Sequence, residues 1–470
     1  MKNLVGVPIA ALATVGTTVL LLENPLIGVG TGLLIALVIL LRTAAYTARA
    51  TAVVVLFAPA TVAYTGSLEP PTVVMLATAA LVAVGTLQRM TAKQREPYLP
   101  SGMLAIAALM VLASLLAGSS PASILIAARP YALVILLVWY FTREARLDPA
   151  NFRTILLIVV WVAAAVSVLS LYQRAASVWP LLDDFATGVQ YTARGYGGRP
   201  GGTLGHPILF GAMAALGAIL CLSVRGRIWA VALVINGVGV LNSGSRSAYV
   251  ALAVAVLCYA VAEGPSRIFR SGPVIAVTLL TSIAVPVTLI VPSFAVFFQD
   301  VWARLDISTD VSGQARNLRG ELALSLILET PDTTLIGHGA RSDVAYLTQF
   351  SIGDGQALTF DNTYLALWHN HGLLVLLPLV AGLAWAFVRG NSTSRALLAA
   401  FAAMLFFVDA TTWPSLLAFG AIAQACRSSP SRSWRARGSE DSHSADVRVD
   451  GDHRDRLALH GESDVERALP

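Results

Sequence analysis

Apolar runs recur along the whole chain, each closed by a short polar break or by a break rich in glycine and proline. Fourteen are counted: 4–22, 26–41, 51–64, 72–87, 103–118, 122–141, 154–172, 206–223, 228–241, 247–262, 274–298, 364–388, 396–408 and 413–426. Most approach the ~20 residues that a helix needs to cross a hydrocarbon core of about 30 Å. A membrane β-barrel would instead show short segments of alternating polarity. The pattern predicts an all-α, polytopic helical membrane protein of about 12–14 transmembrane helices.

Two connections are far longer than the rest and divide the chain. The predicted organisation is 1–172 N-terminal transmembrane helices, 173–205 a loop, 206–298 further transmembrane helices, 299–361 a large loop with short helices, and 362–426 the last transmembrane helices. Residues 427–470 are rich in Arg, Asp, Glu, Ser and His and poor in large apolar side chains. That composition buries too little surface to order itself, so a disordered tail is expected there.

Basic residues set the orientation. Alternate short connections hold Arg42 and Arg49, then Arg89, Lys93 and Arg95, then Arg143, Arg146 and Arg153, then Arg225 and Arg227, then Arg267 and Arg270, then Arg389 and Arg395. The connections between them, such as 23–25 and 66–71, hold no Arg or Lys. Both termini are therefore predicted cytoplasmic, with the two long loops on the outer face of the cytoplasmic membrane. No cleavable leader is read at the N-terminus, and the first run is expected to stay as a helix.

Composition agrees with the pattern: 56% of residues are hydrophobic and 13% are charged, against roughly 25% charged in soluble domains. The net charge of +5 is almost wholly arginine, Lys2 and Lys93 being the two lysines. No basic patch with interleaved aromatics suggests nucleic acid, and the lipid bilayer is the expected partner. Cys221, Cys258 and Cys426 offer neither a disulfide framework nor metal spacing. No metal site and no cofactor are expected.

Four polar stretches interrupt this apolar background. In "GGRPGGTLGHP", 197–207, the glycines permit unusual backbone angles and Pro207 can open a helix. A helix N-terminus beside the Arg199 guanidinium suits phosphate; the same residues also describe a hinge with Thr203 as a cap. In "LNSGSRSAYV", 241–250, Arg246 sits at a membrane edge, where an arginine is costly unless paired, snorkelling or functional. Ser243, Ser245 or Ser247 can cap the next helix. In 314–342, Leu318, Leu322 and Leu326, with Leu324 and Leu328, describe an apolar helical face. Arg316 and Arg319 lie on its first turns, and Gly337–His338–Gly339 marks a tight turn. In "TFDNTYLALWHNHGLL", 359–374, Asp361 and Asn362 precede a helix that carries His369 and His371. Asp361 reads as the cap of that helix or as a chemical group.

Taken in this order, the four stretches resemble the O-antigen ligase and polymerase superfamily, bacterial multi-spanning enzymes that handle lipid-linked glycans outside the cytoplasmic membrane. The resemblance runs from about Arg199 to Leu374. An arginine before a Gly-Thr…Gly…Pro turn corresponds to Arg199, Gly202, Thr203, Gly205 and Pro207. A Ser-Arg step at a helix start corresponds to Ser245, Arg246 and Ser247. An arginine opening the loop helix, then Pro and Gly-x-Gly, corresponds to Arg316, Pro331, Gly337 and Gly339. Asn362 and Gly372 keep the spacing of the last motif, whereas Asp361 stands in place of its histidine and Val375 in place of its final glycine. In the ligases that histidine is the proposed activator of the acceptor hydroxyl. The exchange for aspartate tilts the reading from ligase to polysaccharide polymerase.

The resemblance implies a glycosyltransferase that moves a glycan from a polyprenyl diphosphate carrier to the hydroxyl of an acceptor glycan or lipid. Arg199, Arg246 and Arg316 are expected to grip the diphosphate, Arg246 and Arg316 acting on the leaving group. Asp361 is the candidate base, with His371 and His338 in reserve. Thr203, Ser247, Arg319, Asn362 and His371 are the further candidate substrate contacts. Preorganised guanidinium charge makes a metal-independent reaction the expectation. A lateral opening between helices is expected to admit the lipid tail. The second reading is a secondary transporter or flippase for a lipid or small solute, with Asp409 as its candidate buried charge; it calls for paired charges near the midplane and related halves.

Overall fold

The computed structural model describes residues 43–58, 70–91, 101–176, 199–223, 227–264, 311–350 and 360–428. The predicted spans 4–22, 26–41 and 274–298, and the tail beyond 428, lie outside the described residues. Within them the chain is all-α: fourteen α-helices, one 3₁₀ turn and no strand. In chain order the helices are α1 (Ala44–Phe57), α2 (Pro70–Thr91), α3 (Ser101–Leu116), α4 (Pro121–Leu147), α5 (Pro149–Ala176), α6 (Pro207–Ser223), α7 (Arg227–Ser243) and α8 (Arg246–Glu263). Then follow α9 (Val311–Ile327), α10 (Pro331–Ile336), α11 (Ser342–Phe350), α12 (Thr363–Arg389), α13 (Ser392–Leu405), the 3₁₀ turn Ala410–Thr412 and α14 (Pro414–Ser428).

Four of these, α4, α5, α8 and α12, are long and apolar enough to cross a membrane, and six shorter apolar helices accompany them. The helix expected from 51 starts earlier, as α1 at Ala44, because Thr43 accepts a hydrogen bond from the Tyr46 amide and caps it; residues 59–64 of the expected span 51–64 lie outside the described residues. Apolar side chains on the outside of the bundle, among them Leu125, Leu257, Val261, Leu377 and Val388, are more than half exposed. In a bilayer they meet lipid. The centre is α14, buried along almost its whole length and packed on α4, α13 and α1.

Polar contacts gather at the two ends of the bundle. At the end holding the basic connections, Arg89 grips Glu144 with Nη2 at 2.7 Å from Oε2 and Nε at 3.1 Å from Oε1. Asn151 donates to the same carboxylate (3.2 Å) and accepts from Arg49 (2.8 Å). Four helices, α1, α2, α4 and α5, are thereby tied by one buried network. At the same end Ser392 bonds Glu263, and Asn391 bonds the Cys426 carbonyl at 2.8 Å. The opposite end carries the polar motifs.

The segment from Leu335 to Gly339, at the end of α10, docks at a break in α12. Gly372 has φ +70° inside that helix, which leaves the carbonyls of His369 and Asn370 without their helical donors. The amides of His338 and Gly339 donate to these two carbonyls at 2.7 and 3.0 Å. Gly337 lies so close to the backbone of Asn370 and His371 that a Cβ would collide, and Gly372 meets the backbone of Leu335 in the same way. The glycines of two distant motifs are thus one reciprocal joint. Val375, where the family motif has its last glycine, is fully buried among Met110, Ala113 and Leu367.

Candidate functional site at the motif-bearing end

The 201–206 turn is anchored on three sides. Gln173, at the end of α5, accepts from the Gly202 amide (3.0 Å) and donates to its carbonyl (2.9 Å). Thr203 donates to the Phe57 carbonyl at 2.9 Å. Thr203 therefore holds α1 and is not the cap expected of it. Pro207 opens α6 as expected, and Arg199, half-buried, leads into the turn. His206 packs on Trp413 with ring centroids 5.2 Å apart. That contact connects the glycine turn to the segment between α13 and α14.

Arg246 is the first residue of α8, whose N-cap is Ser245, accepting from the Ala248 amide. Ser247 is buried and bonds Ser245 at 2.8 Å. The neighbouring Asn242 bonds Ser170 (2.9 Å) and Arg174 (3.4 Å). Because α8 packs on α13, with Glu263 and Ser392 joined at their far ends, the Arg246 end of α8 lies by the end of α13 that leads to Asp409.

Asp409 is buried and accepts from the Thr411 hydroxyl (2.7 Å) and amide (3.1 Å). Beside it Thr363 donates to the Val408 carbonyl (2.6 Å) and accepts from the Ala410 amide (2.9 Å). Burial pushes the Asp409 carboxyl up to about 6, and the negative charges of Asp343 and Asp361 add to the rise. Asp343 is buried as well, and burial raises its carboxyl against hydrogen bonds from Asn370 and the Val344 amide. Tyr131 of α4 lies within electrostatic reach of both carboxylates.

Asp361 and Arg319 form an ion pair at 2.8 Å, both side chains about a third exposed. The N-cap of α12 is Asn362, whose Oδ1 accepts from the amides of Tyr364 (3.0 Å) and Leu365 (3.1 Å). This corrects the capping role read for Asp361. Asp361 instead stands outside the helix in a left-handed conformation, φ +50°, and Arg341 is likewise at φ +62°. Such backbone costs about 1–3 kcal/mol and gathers at functional positions. These are the non-glycine residues with positive φ among those described, and both adjoin the carboxylate cluster.

The histidines have structural partners. His371 is buried against Ser114, with Nδ1 at 3.2 Å from the hydroxyl. His338 stacks on His369 with ring centroids 4.5 Å apart, and its Nε2 lies 3.1 Å from the Leu326 carbonyl. His369 in turn meets Ser342 at 3.2 Å. Arg316 lies on α9, one turn before Arg319, in a helix that begins at Val311. The packing face of α9 is Ala323 and Ile327. Leu322 packs beside them, whereas Leu318, Leu324 and Leu328 are exposed, so the apolar face read from the leucines holds only in part.

Two cavities adjoin the cluster. A groove of about 140 Å³ between α3 and α4 is lined by Ala107, Ala127, Ala128 and Ala132 and reaches Tyr131, Ser114 and His371. A larger apolar cavity of about 690 Å³ runs between α3, α4, α12 and α14, from Tyr131, Thr363 and Thr411 to Arg146 and Arg427.

Sequence reasoning missed Asp343, Asn370 and Tyr131 and read Asp409 only as a transport charge. Asp409 did carry a signal, as the one charged residue between Arg395 and Arg427. Tyr131 carried none.

Fold and site together define a polytopic, all-α membrane protein with an acidic and basic cluster at one end of its bundle. Residues 231–380 match the family whose description is O-antigen ligase. The match spans less than half of the chain; over that segment the chain is similar to this family, in keeping with the resemblance read from its motifs. Arg246, Arg316, Arg319, Asp361, Asn362 and His371 fall inside it; Arg199 and Thr203 precede it. No curated protein matches the chain.

Proposed function

We propose that the protein is a polysaccharide polymerase of this superfamily, joining a glycan carried on polyprenyl diphosphate to the hydroxyl of an acceptor sugar at the outer face of the cytoplasmic membrane. The observation that carries this reading is the Arg319–Asp361 pair at 2.8 Å, a cation and a base held against each other at an exposed rim. A diphosphate is a stronger partner for a guanidinium than one carboxylate, since it offers bidentate oxygens and more charge. When it binds, Arg319 turns to the phosphate and Asp361 is released beside the acceptor.

The acceptor oxygen then forms a bond to the anomeric carbon as the bond from that carbon to the diphosphate breaks. The hydroxyl proton passes to Asp361, and the electron pair leaves with the diphosphate. Arg199, Arg246, Arg316 and Arg319 take up the developing charge, which lets the transfer proceed without a metal ion. Asp409, within electrostatic reach of Asp361, draws the proton toward the cluster. The alanine-lined groove between α3 and α4 admits the first units of the prenyl tail, and the exposed Leu112, Leu115 and Leu125 around it meet the remainder. Asn362, Thr203, Ser247 and His371 shape the surroundings through the contacts described above. The transport reading asks for ion pairs near the midplane, whereas Arg89–Glu144 and Arg319–Asp361 lie at helix ends.

The experiment is the surface glycan profile of a strain lacking the protein, complemented with Ala variants at Arg199, Arg246 and Arg316. A polymerase leaves single repeats and no polymer. Polymer retained on its lipid carrier points to a ligase, and normal chain length in all three variants rules out the arginine grip.

A further inference from the structure

The larger cavity ends, away from the carboxylate cluster, in cationic groups that the proposed transfer does not use. Arg146, on the last turn of α4, and Arg427, on the last turn of α14, both line it. Arg389, at the end of α12, acts electrostatically on Arg427 together with Arg146. The Arg427 guanidinium lies over the Trp385 ring at 4.3 Å, which fixes its plane. Its Nη1 and the Thr142 Oγ1 are buried, and among the described residues neither has a hydrogen-bond partner. Both belong to the cavity wall, and no Asp or Glu lines it. Buried donors of this kind cost about 1–3 kcal/mol each when unsatisfied, so an acceptor is expected there. Above them the wall is apolar, with Val138, Pro378, Leu383 and Phe401.

We propose that this end of the cavity binds an anionic phospholipid, its phosphate on Arg146 and Arg427 within the field of Arg389, and an acyl chain along the apolar wall. Charge complementarity selects the headgroup, and the length of apolar wall selects a lipid over a free anion. A guanidinium that merely snorkels to bulk headgroups keeps its nitrogens in the interface; Arg427 has one buried in the wall. Under the orientation proposed above, the lipid comes from the cytoplasmic leaflet, where anionic lipids attract basic groups.

The test uses the purified full chain and native mass spectrometry, with phosphatidylglycerol, phosphatidylcholine of the same acyl chains, and inorganic phosphate as probes. One phosphatidylglycerol is expected to bind saturably, and the Arg146→Gln/Arg427→Gln variant to bind it at least tenfold more weakly. A Cβ at Gly382 meets nothing within 4 Å, so Gly382→Phe fills the cavity without straining the backbone. It should displace the lipid while both arginines remain. Equal binding of phosphatidylcholine, unchanged binding in both variants, or phosphate binding as tightly as the lipid would each overturn the proposal. If the arginine pair fails to fold, Gly382→Phe and the two-lipid comparison decide. None of these readouts depends on glycan transfer, so failure of the transfer reading leaves this one standing, and the reverse.

Discussion

At the scale of residues, the proposed chemistry rests on which carboxylate is released and which is buried. Asp361→Asn keeps the shape of the rim and removes the proposed proton acceptor. Transfer is expected to fall about 10²–10⁴-fold, the usual worth of a general base, measured as the rate of polymer formation from lipid-linked repeats. Asp409 gives a pH dependence. Its carboxyl titrates at about 6, so above that pH the cluster holds its negative charge, and as pH drops through about 6 the charge is lost and the rate declines. Asp409→Asn should give a lower rate that no longer changes across that range. Asp361, Arg246 and Arg319, whose roles are proposals, were visible as candidates because polar residues at a membrane edge are expensive and stand out. Asp343 and Asn370 were not, because their meaning comes from an approach between residues far apart in sequence, which no local pattern encodes.

At the scale of elements, glycines and caps explain why the helices stop where they do. Gly372→Ala must place a side chain at φ +70° against the backbone of Leu335. Left-handed strain alone costs about 1–3 kcal/mol, and the collision adds to it. The variant should lose thermal stability in detergent, and the 331–343 segment should become open to protease before the rest of the bundle does. Glu144→Gln removes the nearer of the two counter-charges of the buried Arg89 and leaves Asp148 at 3.5 Å; breaking a buried pair outright costs about 3–5 kcal/mol, so a smaller but measurable fall in melting temperature is expected. Helix existence was largely readable from apolar run length. Helix ends were less so: α1 begins at Ala44, ahead of the expected start at 51, because Thr43 caps it. The face of α9 was read in part: Leu322 packs beside Ala323 and Ile327, whereas Leu318 and Leu324 are exposed. Gly337, Gly339 and Gly372 were visible as motifs, but that they form one joint was not.

At the scale of the whole molecule, the two ends of the bundle divide the labour. One end holds the basic connections and the Arg89–Glu144 network, the other holds the motif cluster. The proposed orientation predicts that a reporter enzyme active only outside the cytoplasm works when inserted after Leu335, and that a fluorescent protein fused after Pro470 remains bright; the opposite pair of results would reverse the topology. The network at the basic end also bears on how the protein is made. Arg49 and Asn151 are separated by 102 positions in the chain, and Glu144 lies between their helices and α2. A ribosome-bound fragment that stops before α5 already holds the Arg89–Glu144 pair but lacks Asn151, the acceptor for Arg49 and a further donor to Glu144. The Arg49 guanidinium of α1 thus waits, still wet, for α5, and the basic end is completed only once that helix has been added.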